Sequence, residues 1–486
     1  MAQPVAPVVA TAQGSAPPPR SAPTRRGTEL FMLAFAAGLV TGALMLVEAN
    51  QEQQLTLRIV WYGLAYLALF GVAHFAVRTW APYADPLILP SVALLNGLGL
   101  VMIYRLDLAY SERALAANRE VNNQVPKQIL WTAIGMILFL VVLKLIKDHR
   151  TLTRYGYTFG LVGLSLLALP AMLPEVIAPT LNGAKIWLRI GIFSIQPGEF
   201  AKILLLVFFS AFLVSKRDLF MAAGRRVAGI DLPRARDLGP ILVAWAVSVG
   251  VLIFEKDLGT SLLFFGVLLV MLYVATERAI WVLLGTLLFV GGSLVAYKAF
   301  GHVQVRVENW LDPFADYNTG GYQIAQALFG FATGGVGGTG LGAGRPDMVP
   351  LANSDFITAA IGEELGFIGL AALLLVYTLL AMRGMRSALA VRDTFGKLLG
   401  GGLSFALIMQ VFVVVGGVTK LIPMTGITAP FLSAGGSSLL ANYVLIALLL
   451  RISDAARRPQ TGSRPRPVAQ APIAEAHTVM VEKPES

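Results

Sequence analysis

Cysteine is absent from the 486 residues, which excludes disulfides and thiolate metal sites. Charge is also scarce: Asp, Glu, Lys and Arg make up 14% of the chain, while 56% is hydrophobic and the mean hydropathy is +0.70. A soluble domain of this length could not hide so much apolar side chain, so the expected class is an all-α polytopic membrane protein. No polar insert of soluble-domain size separates the apolar runs, which argues for one membrane domain. The leader, residues 1–28, has no acidic residue. It is long for a signal-peptide n-region and no clear cleavage site follows, so the first apolar run reads as a retained span. No convincing internal repeat marks two related halves.

Runs of about 20 apolar residues suffice to cross a bilayer. Twelve qualify to within a few residues: 30–48, 57–77, 86–105, 128–147, 154–173, 196–215, 237–254, 258–276, 279–299, 357–382, 398–419 and 430–452. Domain organisation is read as a cytoplasmic tail at 1–28, a membrane domain at 29–454 and a second cytoplasmic tail at 455–486. Both tails are rich in Pro, Ala and small polar residues, the composition of disorder. Net charge is +10, but its placement carries more information. Lys144, Lys147, Arg150 and Arg154 share one side with Lys216, Arg217, Arg225, Arg226, Arg234 and Arg236, and with Arg383, Arg386, Arg392 and Lys397. By the positive-inside rule that side is the cytoplasm, and an even number of spans puts both termini there. This charge follows a membrane topology, and no nucleic-acid partner is expected.

The longest loop, 300–356, falls outside, between the ninth and tenth runs; loops of that length in a compact domain are usually functional. Its glycine-rich stretch Gly334–Gly342 contains G-x-G-x-x-G at 335–340, but no βαβ unit surrounds it and no Walker lysine follows. A dinucleotide site is therefore rejected. Two readings remain: tight turns or short helices folding back into the bundle, or backbone N–H groups approaching a diphosphate.

Charges inside or at the ends of spans are costly and mark candidate sites. Glu199 and Lys202 share a helix face at i,i+3, as a structural pair or as site residues. Glu255-Lys256-Asp257 interrupts an apolar stretch, either as an interfacial turn or to project Asp257 into a polar cavity. Asp355 stands where the long loop meets the tenth run. On a regular helix Glu363 lies about 80° from Asp355 and Glu364 about 180° away. Only Glu363 could then assist Asp355, and Glu364 pairs elsewhere in the bundle. Gly362 and Gly366 form a small-x-x-x-small pair suited to close packing. Lys185, Trp187 and Arg189 lie in the outer loop 174–195. Trp187 reads as an interfacial anchor or a site residue, and Arg189 as a fork-shaped phosphate donor. Arg306, Asp312 and Asp316 in the long loop are solvated charges or contributors to a site.

Several blocks in order resemble the SEDS family (shape, elongation, division and sporulation proteins) of the RodA and FtsW type. Asn182-Gly183-Ala184-Lys185-Ile186-Trp187 leads into Gln196-Pro197-Gly198-Glu199-Phe200-Ala201-Lys202. Asp257-Leu258-Gly259-Thr260, Trp310-Leu311-Asp312-Pro313 with Gly321-Tyr322-Gln323, and Asp355-Phe356-Ile357 with Gly362-Glu363-Glu364-Leu365-Gly366 follow. The last-loop signature is Pro423, Thr425, Gly426, Pro430, Phe431, Ser433, Gly435, Gly436 and Ser437. Gly198, Lys256, Leu351, Asn353 and Ala434 depart from the family pattern. The family's ten spans imply two extra N-terminal helices here. The resemblance implies a glycosyltransferase that polymerises lipid II, a disaccharide-peptide on undecaprenyl diphosphate, outside the bacterial cytoplasmic membrane. It also implies a class B penicillin-binding protein as partner. Asp355 is then the candidate general base. Lys185, Trp187, Arg189, Glu199, Lys202, Asp257, Arg306, Glu363, Ser433 and Ser437 are candidates for substrate binding. No organic cofactor is expected; a divalent cation would offset diphosphate charge, with ligands unassigned. Membrane lipids surround the whole. A lipid II flippase or other twelve-span transporter, and a non-catalytic scaffold, are the competing readings.

Overall fold

Each of the twelve apolar runs forms a helix, because a chain in lipid must satisfy its backbone hydrogen bonds internally. The computed structural model describes residues 24–51, 57–118, 120–121, 123–180, 184–191, 193–216, 226–227, 230–231 and 239–459. The expected tails, Asn182-Gly183 and the charges Arg217, Arg225, Arg234 and Arg236 lie outside them, apart from tail residues 24–28 and 455–459. Residues Arg25–Arg457 form one compact unit.

The first helices are α1 (Arg26–Asn50), α2 (Arg58–Trp80), α3 (Ile88–Ala116), α4 (Val125–Leu145), the short α5 (Thr151–Arg154) and α6 (Gly156–Met172). A hairpin of β1 (Leu188–Ile190) and β2 (Phe193–Ile195) follows, antiparallel with Arg189 opposite Ser194. After α7 (Pro197–Ser215), a two-residue ladder pairs β3 (Arg226–Val227) with β4 (Ile230–Asp231). Then come α8 (Gly239–Phe254), α9 (Leu258–Thr276), α10 (Ile280–Ala299), α11 (Gly301–Leu311), α12 (Tyr322–Gly334), α13 (Ile357–Ala390), α14 (Thr394–Val418) and α15 (Gly436–Arg457). Among the described residues, ten helices are long and apolar enough to cross a membrane. Of the expected twelve, α6 has 17 residues and α8 has 16. The long loop is not open coil: α11, α12 and a 3-10 turn at Pro346–Met348 fill much of it.

α15 lies at the centre, packed on α4, α13, α7 and α14, and α3 packs on α1, α13 and α4. Leu445, Ile446, Leu450, Leu89 and Leu95 are wholly buried there. At the periphery, α10 presents Leu283, Leu287, Val290 and Leu294 outward, an apolar surface suited to lipid.

One fold feature positions the site. α13 breaks at Gly366, whose φ of 66° and ψ of −169° are not helical. The break frees backbone groups that lipid could not satisfy, and the glycine segment meets them. The N–H groups of Thr339 and Gly340 donate to the carbonyls of Glu363 and Glu364 at 3.0 and 2.9 Å. In return, Phe367 and Ile368 donate to the carbonyls of Gly335 and Val336 at 3.0 and 3.1 Å. Glycine is required for this approach: a Cβ on Gly366 would lie 2.2 Å from the Gly338 nitrogen, and one on Gly338 would lie 2.3 Å from the Glu364 oxygen. Of the two readings of this segment, the geometry matches folding back into the bundle.

Candidate active site

Asp355 sits two residues before the first turn of α13, half-buried. Ser354 Oγ donates to its Oδ1 at 2.7 Å. Gly426 packs beside it; a Cβ there would come 3.7 Å from Asp355 Oδ2. Burial raises the Asp355 carboxyl to a pKa of about 6, against the opposing pull of the Ser354 hydroxyl and the Arg306 charge; Asp257 adds a smaller upward push.

Arg306 comes from α11, an amphipathic helix laid against the last loop. Its Nη1 donates to the carbonyls of Thr425 and Met424 at 3.0 and 3.3 Å, and Trp310 Nε1 donates to the Lys420 carbonyl at 3.1 Å. Burial depresses the Arg306 pKa, while the charges of Asp257 and Asp355 counter the fall. The guanidinium thus lies within electrostatic range of both carboxylates. Asp257 caps α9, accepting from Thr260 N at 2.9 Å and from Thr260 Oγ1 at 2.6 Å. Its pKa is raised by burial against those bonds and the Arg306 charge, with a contribution from Glu199. Glu255 is lifted to about 8, by burial and then by Asp257.

Glu199 and Lys202 form the expected pair on α7, Nζ to Oε2 at 2.8 Å. Lys202 Nζ also donates to Gln410 Oε1 at 2.7 Å, and Gln410 Nε2 donates to the Thr428 carbonyl at 2.9 Å. Asp355, Arg306, Asp257 and Glu199 thus influence one another electrostatically, and hydrogen bonds continue from the Glu199–Lys202 pair to α14 and back to the last loop. Gln410 was missed by reading charges alone; a buried amide in an apolar span is the signal that identifies it.

Ser433 and Ser437 act as struts. Ser433 Oγ donates to the Ser354 carbonyl at 2.7 Å and accepts from Ala429 N at 2.9 Å. Ala434 N donates to the Asn353 carbonyl at 2.8 Å. Ser437 Oγ accepts from Gln196 N at 2.9 Å. The segment carrying Asp355 is thereby stitched to the last loop, and that loop to the start of α7. Three loops around the site each contain a non-glycine residue at left-handed φ: Leu351 at 55°, Lys256 at 56° and Phe431 at 64°. Such strain clusters at sites that surrounding structure over-determines. A proline at 256 is incompatible with that angle.

Other candidates sit elsewhere. Lys185 Nζ donates to the Leu173 carbonyl beyond the end of α6 at 2.6 Å, and its backbone N–H to the Glu255 carbonyl at 3.2 Å. It anchors the hairpin loop rather than meeting Asp355. Trp187 is half-buried in that loop and Arg189 is exposed on β1. Asp312 caps the turn at Phe314 and is exposed, as is Asp316. Glu363 does not support Asp355: its Oε1 accepts from the Arg345 N–H at 2.6 Å. Because α13 begins at Ile357, the helical angle drawn from Asp355 does not hold. Glu364 does pair elsewhere, with Arg105 Nε at 2.9 Å and Gly342 N at 2.9 Å. Among the described residues, no three His, Cys, Asp or Glu side chains are grouped to hold a metal ion. Asp257 accepts from Thr260 and Asp355 from Ser354.

The FtsW/RodA/SpoVE family model, described as "Cell cycle protein", matches residues 85–458. The chain belongs to this family. The match begins beyond α1 and α2, so these two helices precede the family core. The chain is 57% identical over 461 residues to "Peptidoglycan glycosyltransferase RodA" of Mycobacterium tuberculosis (strain ATCC 25618 / H37Rv), covering 95% of this chain and 97% of that one. It is 32% identical over 379 residues to "Stage V sporulation protein E" of Bacillus subtilis (strain 168), covering 77% and 98%. A solved structure described as "Structural coordination of polymerization and crosslinking by a peptidoglycan synthase complex" aligns with a TM-score of 0.59 at 26% identity, covering 77% of this chain and 99% of that one. The crystal structure of the Thermus thermophilus rod shape determining protein RodA aligns with a TM-score of 0.52 at 25% identity, covering 78% and 98%. The fold is that of the RodA and FtsW proteins.

Proposed function

We propose that Asp355 is the general base of a glycan polymerase acting on lipid II at the extracytoplasmic face. The chain is a peptidoglycan glycosyltransferase. The observation that carries the role of Asp355 is a half-buried carboxylate with a pKa of about 6, beside the half-buried Arg306, whose charge also reaches Asp257. Such a group is mostly ionised at neutral pH yet retains real affinity for a proton.

In the reaction, a sugar hydroxyl oxygen attacks the anomeric carbon of the donor. The bond from that carbon to the lipid diphosphate breaks, and the diphosphate leaves with the electron pair. The hydroxyl proton passes to Asp355. Direct displacement inverts the anomeric centre without a covalent sugar–enzyme intermediate. Arg306 offsets the charge that develops on the leaving group. Asp257 and the Glu199–Lys202 pair hold Arg306 and the last loop in place. A divalent cation bound with the substrate would offset the diphosphate charge. Holding both lipids in one groove supplies rate by orientation.

The chain is a multi-pass membrane protein. We place it in the bacterial cytoplasmic membrane with both termini cytoplasmic. α15 supports this arrangement. Near its start, Ala434 meets Asn353; near its end, Arg457 pairs with Asp85, which Arg383 approaches at 3.8 Å. The 22 residues of α15 span about 30 Å, so Asp355 lies one bilayer core away from that basic end. The partner is taken to be a class B penicillin-binding protein that cross-links the peptides.

A transporter would use broken helices to present backbone groups to its cargo. Here the groups freed at Gly366 are consumed by the glycine segment, which removes the main structural argument for a flippase. The test is to incubate purified protein, with and without its transpeptidase, with lipid II and to resolve glycan ladders. Asp355→Asn should lose about 10²–10⁴-fold in rate. Ladders at the parental rate from that variant would remove Asp355 from the mechanism, and lipid II flipping in liposomes without ladders would favour the transporter.

A further inference from the structure

A polar cavity of about 480 Å³ opens between the ends of α1 and α3 and the segment following the glycines. Its walls include Asn50 and Gln51 of α1, Arg105 and Arg113 of α3, and Arg345 and Asp347. Neither Asp355, Asp257 nor Arg306 lines it. α1 lies ahead of the matched family region, so part of this cavity is built by the N-terminal extension. Asn50 Nδ2 and Gln51 Nε2 donate to the carbonyls of Leu341 and Gly342, each at 2.5 Å. The extension is therefore fastened to the cavity's far wall.

Arg105 is the informative residue. Its side chain is 2% exposed. Nε is paired with Glu364 and Nη2 donates to the Gly344 carbonyl at 2.7 Å. Nη1 is buried and donates to no acceptor in the described protein. A buried charged donor without a partner is costly and calls for one. Arg113 pairs with Asp347 and donates to its carbonyl at 2.9 Å, while Arg345 Nε stands 3.4 Å from Asp347 Oδ1 with its side chain 71% exposed. Glu112 also lines the cavity, on an exposed position. Three guanidinium groups stand against the carboxylates of Glu112, Asp347 and Glu364, and the Arg105 Nη1 donor is left over.

We propose that this cavity binds a phosphate-ester headgroup at a site separate from the Asp355 cluster. Guanidinium groups match phosphate oxygens in fork geometry and are weakly hydrated. The cavity lies where the apolar helix α1 ends, the level at which headgroup phosphates are the abundant oxyanions. Its volume is in the range of small-molecule sites, with room for a glycerol or a sugar beside the phosphate. The phosphate can belong to a membrane phospholipid or to a prenyl diphosphate, and the two sources are separable by experiment.

Full-length protein in phosphate-free detergent would be titrated calorimetrically with inorganic pyrophosphate, then again after adding phosphatidylglycerol or phosphatidylcholine. Ala343 lines the cavity on an exposed position, so Ala343→Glu introduces a repelling charge without touching the core. The expected result is saturable binding that weakens at least about tenfold in Ala343→Glu and in Arg345→Glu. Ala343→Gln and Asp355→Asn should bind like the parent, with thermal melts unchanged in the three cavity variants. Competition by phosphatidylglycerol but not phosphatidylcholine identifies the membrane headgroup; no competition identifies a diphosphate carrier. Equal pyrophosphate affinity across parent, Ala343→Glu and Arg345→Glu overturns the proposal, as does the absence of both pyrophosphate binding and selective phosphatidylglycerol retention. Loss of binding in Asp355→Asn alone would place the pyrophosphate at the Asp355 cluster and equally overturn it.

Discussion

Replacing Asp355 by Asn should make the protein less active and more stable. The ordinary carboxyl pKa is 3.8, and burial in the folded protein brings Asp355 to about 6. Because the folded pKa is the higher one, the ionised form is disfavoured by folding. The relative stability is fully present below the unfolded pKa, falls as pH rises toward 6, and is lost above it. Two pKa units correspond to about 3 kcal/mol; for a half-buried group, solvent screening reduces this to about 1–2 kcal/mol. At pH 7.5 the Asn variant should therefore melt higher than the parent, and at pH 4 the two should nearly coincide. Activity should follow the same ionisation in the opposite sense. With a pKa of about 6, about a tenth of the molecules carry the base at pH 5 and about nine-tenths at pH 7, so polymerisation should rise roughly tenfold across that interval and level off. The assay pairs thermal melts of purified protein with initial rates of lipid II polymerisation from pH 5 to 8. A pH-independent rate in the parent, or an Asn variant that melts lower at pH 7.5, would refute the reasoning.

Glu364→Gln should cost about 3–5 kcal/mol, because it leaves Arg105 buried without its counter-charge; reduced folded yield with near-parental polymerisation per folded molecule is the expected pattern. Gly338→Ala should destabilise by at least about 2 kcal/mol, since φ is +82° there and the new Cβ meets the Glu364 carbonyl; thermal melting checks it. Ser433→Ala removes the tie between Ser354 and the last loop and should lower kcat about tenfold, a loss of about 1.4 kcal/mol. The midpoint of the acid limb should stay in place, as expected for a positioning residue, with Ser433→Thr recovering part of the rate.

Hydropathy located the membrane helices because bilayer thickness imposes a length that composition alone reveals. It did not locate their ends. α3 runs on to Ala116, past the apolar run that ends at Arg105, so Arg113 belongs to a helix wall rather than to a loop. α11 and α12 were hidden for the same reason: an amphipathic helix lying beside the bilayer has no long apolar run. At the site, Asp355, Asp257 and Arg306 were each visible as single charges, but only folding brings one arginine within electrostatic range of both acids. The strut role of Ser433 depends on a contact with Ser354 across 79 positions of chain. That Glu364 pairs elsewhere in the bundle was legible as a charge inside an apolar run that needs a partner, although the angle drawn from Asp355 does not hold. The angle of about 80° between Asp355 and Glu363 assumed a regular helix that includes Asp355, whereas α13 begins at Ile357.

The interruption in α13 has a bearing on how the protein is made. Its outer half cannot settle into lipid alone, since four main-chain groups around Gly366 find partners only on residues 335–340. Those residues are translated earlier than α13, so the complementary segment has already left the ribosome when the interrupted helix emerges. Membrane insertion of α13 is thus a joint event with the preceding hairpin-like segment, and lengthening the short tether between residues 342 and 357 should delay assembly more than it harms the finished enzyme.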